Sequence, residues 1–138
     1  PTNRLVGWEQ LGAQASQIQS QMPKPAQTFF FSEQYQITAE LGFYVKGQPQ
    51  AYCVNLGRRM NQYDLWKGPD NKKGWDGIYV TYDDDKPLDA RVASSFERID
   101  LPDIIQVKKK DLVYNQFRIY RCYGFQGQLA GEIKPANF

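Results

Sequence analysis

The stretch 28–56, TFFFSEQYQITAELGFYVKGQPQAYCVNL, decides the fold reading of this chain. Thr28-Phe29-Phe30-Phe31 is an unbroken apolar run, too short for a helix and bounded by polar residues, so it reads as a buried strand. Ser32 can cap a helix that follows, and Glu33 suits the positive end of its dipole. Ile37, Leu41, Tyr44 and Val45 give that helix one apolar face, and Gly47 with Pro49 ends it. Ala51 to Asn55 is a second buried strand. Strand, helix and strand in this order predict a parallel pair with the helix packed on its face.

The flanks extend the pattern. Upstream, Trp8, Leu11, Ala15, Ile18 and Met22 recur at spacings of three and four from Leu5 to Met22, one face of an amphipathic helix stopped by Pro23 and Pro25. Downstream, 67–74 is a polar loop, and Gly77 to Tyr82 is a third strand closed by Asp83-Asp84-Asp85. Leu88 to Phe96 reads as a short helix, and Phe96 to Ile99 as a short strand. Ile104–Lys108 pairs with the long strand Leu112 to Tyr123 through a Lys110-Asp111 turn. The expected architecture is α/β: a three-layer, mostly parallel, Rossmann-like sheet with a C-terminal antiparallel strand pair, in one domain spanning 1–138.

Composition narrows the function. At 138 residues the chain can bury a core without disulfides or metal, and 41% hydrophobic residues exclude disorder. A net charge of +2 with no long basic run argues against nucleic acid as a partner. There is no histidine, which removes Ser-His-Asp and Cys-His catalysis, histidine metal ligation and the usual near-neutral proton shuttle. Cys53 and Cys122 lie in separate apolar strands with no Cys-x-x-Cys spacing; free thiols and a long-range disulfide both stay open. No segment is apolar enough to cross a membrane, and the opening Pro1-Thr2-Asn3-Arg4 reads as a chain excised from a longer protein.

Parallel strands bring their C-terminal ends to one edge, where open sheets place ligands. One end supplies Ser32 to Gln36 and another Tyr82 and the aspartates. The end after Leu56 supplies Gly57-Arg58-Arg59-Met60-Asn61-Gln62-Tyr63-Asp64-Leu65-Trp66. Guanidiniums, carboxamides and a phenol hold planar or anionic groups through forked hydrogen bonds, although Arg58, Arg59 and Asp64 could equally pair among themselves. Asp83 and Asp85, ending an apolar strand, match locally the way nucleotide-sugar enzymes hold a divalent cation; a solvated turn is the simpler reading.

Taken together, Pro1–Trp8, Phe-x-Ser-Glu-Gln-Tyr-Gln at 30–36, and Tyr-Cys-Val-Asn-Leu-Gly-Arg-Arg-Met-Asn-Gln-Tyr-Asp-Leu-Trp at 52–66 resemble one family. They are similar to the C-terminal soluble domain of bacterial family 39 glycosyltransferases, integral-membrane enzymes akin to dolichyl-phosphate-mannose–protein mannosyltransferases. The resemblance covers roughly the first two-thirds of the chain. It implies a parent enzyme in the inner membrane that moves a sugar from a polyprenyl-phosphate donor to an acceptor, with this domain on the periplasmic side. The catalytic carboxylate is then expected in a membrane half that this chain lacks, so the domain itself carries no catalytic residue and no cofactor; a divalent metal in the parent stays open. Its partner is the membrane domain of the same polypeptide. Tyr35, Gln36, Arg58, Arg59, Asn61, Gln62, Tyr63 and Asp64 are the candidates for the face that meets membrane half or substrate, a cationic pair suiting a lipid phosphate. The alternatives are a free-standing α/β enzyme binding nucleotide sugar and metal through Asp83 and Asp85, and a non-enzymatic glycan- or peptide-binding module.

Overall fold

The computed structural model describes residues 2–47, 51–54, 70–84, 86–109 and 112–127. Helix α1 (Thr2–Gln21) leads through a 3-10 turn at Pro25–Gln27 into strand β1 (Thr28–Ser32). Helix α2 (Tyr35–Tyr44) and strand β2 (Ala51–Cys53) follow. Beyond a 3-10 turn at Asp70–Lys72 come β3 (Asp76–Tyr82), the single turn α3 (Ala90–Ala93), β4 (Phe96–Ile99), β5 (Asp103–Lys109) and β6 (Leu112–Phe125).

The expectation of a mostly parallel, three-layer sheet is overturned. The six strands form one mixed sheet in the order β2-β1-β3-β6-β4, with β5 also on β6. Only β1–β2 and β1–β3 are parallel; β3–β6, β4–β6 and β5–β6 are antiparallel. The reason lies in the last strand connection. β4 and β5 run in the direction of β3, as a crossover after β3 would give, but neither pairs with it. Only two residues separate the end of β5 from the start of β6, which runs antiparallel to it and takes the place beside β3. The candidate helix at 88–96 shrinks to the four residues of α3.

Strand β6 serves two lanes. Its residues Phe117 to Cys122 pair with β3 on one side. On the other, Leu112 to Ile119 pair with β5 and Cys122 to Phe125 with β4. β4 and β5 thus form one edge lane, interrupted at Leu101-Pro102, and the β5 ladder shifts register between Val107 and Lys108. Pro102 has no N–H to give a ladder, which accounts for the break.

The two faces are covered unequally. Trp8, Leu11, Ala15 and Ile18 of α1, Met22 just after it, and Ile37 and Leu41 of α2 pack with Phe30, Ile78, Val80, Phe117 and Ile119. The first five of these positions are those the helical spacing selects. On the opposite face Phe29, Phe31, Tyr79, Tyr120 and Phe125 pack with Val92 of α3 and Phe96. No layer of helices covers this second face among the described residues; one helical turn and the adjoining chain do so. Period-two alternation along β1 sends Phe30 to one side and Phe29 and Phe31 to the other, which is why a run of three phenylalanines serves both cores.

No disulfide joins the two cysteines. β1 and β3 lie between β2 and β6, so the strands of Cys53 and Cys122 are about 14 Å apart at normal strand spacing, twice what a bridge spans. Cys122 is fully buried, its thiol pushed well above the ordinary value by desolvation.

Helices α1 and α2 come into close contact at Gly12. A Cβ there would stand 2.6 Å from Tyr44 Cβ and 2.7 Å from the Tyr44 carbonyl oxygen. In an open helix interior, glycine to alanine gains about 1 kcal/mol. At this contact the methyl group forces the helices apart, and Gly12→Ala is expected to destabilise the fold by about 1–3 kcal/mol. A urea midpoint shifted downward at unchanged slope is the expected readout; an upward shift would show that the helices do not meet here.

Candidate polar cleft at the sheet edge

The site begins where β1 ends. Ser32 is fully buried, and its Oγ accepts a hydrogen bond from the Gln34 N–H at 3.0 Å. This turn, rather than a side-chain cap on α2, redirects the chain, since α2 starts only at Tyr35 with Gln34 as its uncapped N-cap. Glu33 is left at the junction, half-buried. Its Oε2 accepts from Thr81 Oγ1 at 2.8 Å, and its Oε1 lies 3.4 Å from Ser32 Oγ. The buried Tyr79 phenol lies within the influence of the same carboxylate. Burial first, and the Glu33 charge second, push the Tyr79 phenol far above its ordinary value, so it remains a donor at every physiological pH.

Register assembles the rest. The β3–β6 ladder places Tyr79 opposite Tyr120 and Thr81 opposite Arg118, so these four side chains share the face away from α1 and α2. Against them lie Asp83, Asp84 and the residues from Lys86 to Asp89. Asp83 Oδ1 receives Arg118 Nε at 2.5 Å, and its Oδ2 receives Gln116 Nε2. Arg118 then donates to the carbonyl oxygens of Lys86, at 2.6 Å, and of Asp84. One guanidinium thereby ties the loop after β3 to strand β6. Asp89 caps α3, accepting from the Arg91 N–H at 2.8 Å, and forms a forked pair with the Arg91 guanidinium at 2.8 and 2.9 Å.

Between loop and sheet lies a cleft of about 400 Å³. Glu33, Gln34, Thr81 and the two tyrosines form its sheet side. Asp84, Lys86, Pro87, Leu88 and Asp89 form the loop side, with Arg118 where the two meet. The volume falls in the range of small-molecule sites.

The residues singled out from the sequence fare differently. Tyr35 and Gln36 are exposed in the first turn of α2, directly after the cleft residues Glu33 and Gln34. Arg58, Arg59, Asn61, Gln62, Tyr63, Asp64 and the weak metal candidate Asp85 lie outside the described residues. Asp83 is engaged at both oxygens by Arg118 and Gln116, which speaks against it as a metal ligand. Among the described residues no three metal-ligating side chains gather at one point. Tyr79, Thr81, Arg118 and Tyr120 were not anticipated. Their alternation within Ile78–Tyr82 and Phe117–Cys122 marks them as sharing a face, but nothing in it says that the two strands are neighbours.

Comparison of the chain with family models, curated proteins and solved structures finds no match. Among the described residues no helix is long and apolar enough to cross a membrane.

The hydrogen bonds from Gln116 and Arg118 hold the Asp83 carboxyl below its ordinary value. The stability that it contributes is therefore complete above the unfolded value of about 4 and is lost as pH falls through the lower folded value. Asp83→Asn is expected to lower the urea midpoint at pH 7, with the gap to wild type closing as pH falls below the unfolded value of about 4 and through the lower folded one. A gap that stays the same across this fall would show that the ion pair contributes nothing.

Proposed function

We propose that this chain is a periplasmic domain of a membrane glycosyltransferase that uses a polyprenyl-phosphate sugar. In this reading it carries no catalytic residue and no cofactor of its own. The membrane half of the same polypeptide performs the transfer, and this domain lies over it and shapes the entrance for donor or acceptor. The observation that supports the reading is the direction of β2. It runs parallel to β1, with Cys53 beside Ser32 and the Val54 N–H donating to the Ser32 carbonyl at 2.9 Å. Residues 30–32, the start of one segment that carries the family resemblance, and residues 52–54, the described start of another, thus lie side by side and end at one sheet edge.

In the intact membrane enzyme, Arg58→Ala and Asp64→Ala are expected to lower sugar transfer from the polyprenyl-phosphate donor at least tenfold, with enzyme abundance unchanged. The 138-residue chain alone is expected to transfer nothing. Undiminished transfer by both variants, or a parent protein without membrane helices, would overturn the reading.

The polar cleft favours one second reading, a glycan-binding module unconnected to an enzyme. The nucleotide-sugar alternative is weakened by the engagement of Asp83 with Arg118. Heat on titrating the chain with manganese and a nucleotide sugar, lost in Asp83→Ala, would restore it.

A further inference from the structure

The charge and hydrogen-bonding capacity of the cleft define what it can hold. Three carboxylates line it, Glu33, Asp84 and Asp89, against two cations, Lys86 and Arg118. Arg118 is paired with Asp83 and also donates to the carbonyls of Lys86 and Asp84, which leaves two of its five N–H groups. Asp89 is likewise paired with Arg91. Glu33 and Asp84 then stand against Lys86, a balance that disfavours an anionic ligand. Glu33 is the acceptor that is both positioned and open. Thr81 holds its Oε2 from the sheet side at 2.8 Å, and its Oε1 has the long 3.4 Å contact with Ser32. A carboxylate held in this way takes hydroxyl donors through charge-assisted bonds without first giving up side-chain freedom. Pro87 and Leu88 supply apolar surface on the opposite wall.

We infer that this cleft binds a neutral, hydroxyl-rich group the size of a single sugar ring. Glu33 accepts from its hydroxyls, and Pro87 and Leu88 pack against its C–H face. The site reads the sugar and not a phosphate, so any lipid phosphate must lie elsewhere. The assignment deepens the glycosyltransferase reading and rests on it only for the origin of the sugar, which can be the donor or a glycan acceptor.

Saturation-transfer NMR on the 138-residue chain tests this with methyl hexopyranosides, hexose 1-phosphates and inorganic phosphate. Saturation of at least one hexoside is expected, with inorganic phosphate failing to compete and the matching hexose 1-phosphate binding no tighter. Glu33→Gln and the isosteric Thr81→Val are each expected to weaken binding about tenfold or more while backbone amide dispersion stays native. No hexoside binding to the folded wild type, wild-type binding in both variants, or displacement by inorganic phosphate would each overturn the inference. In the intact enzyme, a KM raised by Glu33→Gln for the polyprenyl-phosphate sugar assigns the ring to the donor, and one raised for the acceptor assigns it to the acceptor. The two readings fail separately. Hexoside binding with transfer unaffected by Arg58→Ala and Asp64→Ala would sink the transferase role alone, and impaired transfer without hexoside binding would sink the cleft alone.

Discussion

Strand β6 is the member on which the rest of the structure depends. Its fourteen residues carry three ladders: β3 along one edge, β5 and β4 in succession along the other. Phe117 and Ile119 face the helices while Tyr120 and Cys122 face the opposite core, so the strand also links the two apolar clusters. Without it β1, β2 and β3 would be a three-stranded parallel ribbon with an open edge, an arrangement rarely stable unless both faces are covered. β6 closes that edge and recruits the C-terminal third of the chain into the same sheet.

The cleft exists because the direction of the sheet changes between β3 and β6. In a fully parallel sheet the neighbour of β3 would present its own C-terminal end at this edge and continue into another loop. Here the neighbour arrives from the opposite direction, bringing Gln116, Arg118 and Tyr120 of β6 to the ends of β1 and β3. Arg118 can therefore hold the loop after β3 from outside, and Thr81 can hold Glu33 from beneath. The edge where the parallel strands end remains the place for a ligand, but half of its lining comes from a strand of opposite sense.

Local signals made much of this legible. The spacing of Trp8, Leu11, Ala15, Ile18 and Met22 marked the buried face of α1, and the segment from Thr28 to Cys53 resolved into strand, helix and strand. Period and turn chemistry act within a few residues and need no knowledge of neighbours. Sheet order was not legible, because a strand's two edges are the same backbone and alternation determines faces rather than partners. That ambiguity hid the β3–β6 ladder, and with it the pairing of Thr81 with Arg118. Glu33 was visible only as a favourable charge at a helix start, since its hydrogen bond with Thr81 spans more than forty residues of chain. Asp83 looked like a ligand for the converse reason: an acidic turn reads alike whether it holds a cation or a guanidinium.

The interrupted edge lane has a consequence for how copies of this chain behave in concentrated solution. A long, flat outer strand offers its unpaired N–H and C=O groups to any extended chain, the first step of cross-strand aggregation. The β4–β5 lane is broken at Leu101-Pro102, shifts register at Val107/Lys108 and ends in Lys108 and Lys109. The strand at the other end of the order, β2, is three residues long. Among the described residues neither border presents a continuous template, so the exposed Leu101 and Ile104 sit on an edge that an incoming strand cannot follow for more than a few residues.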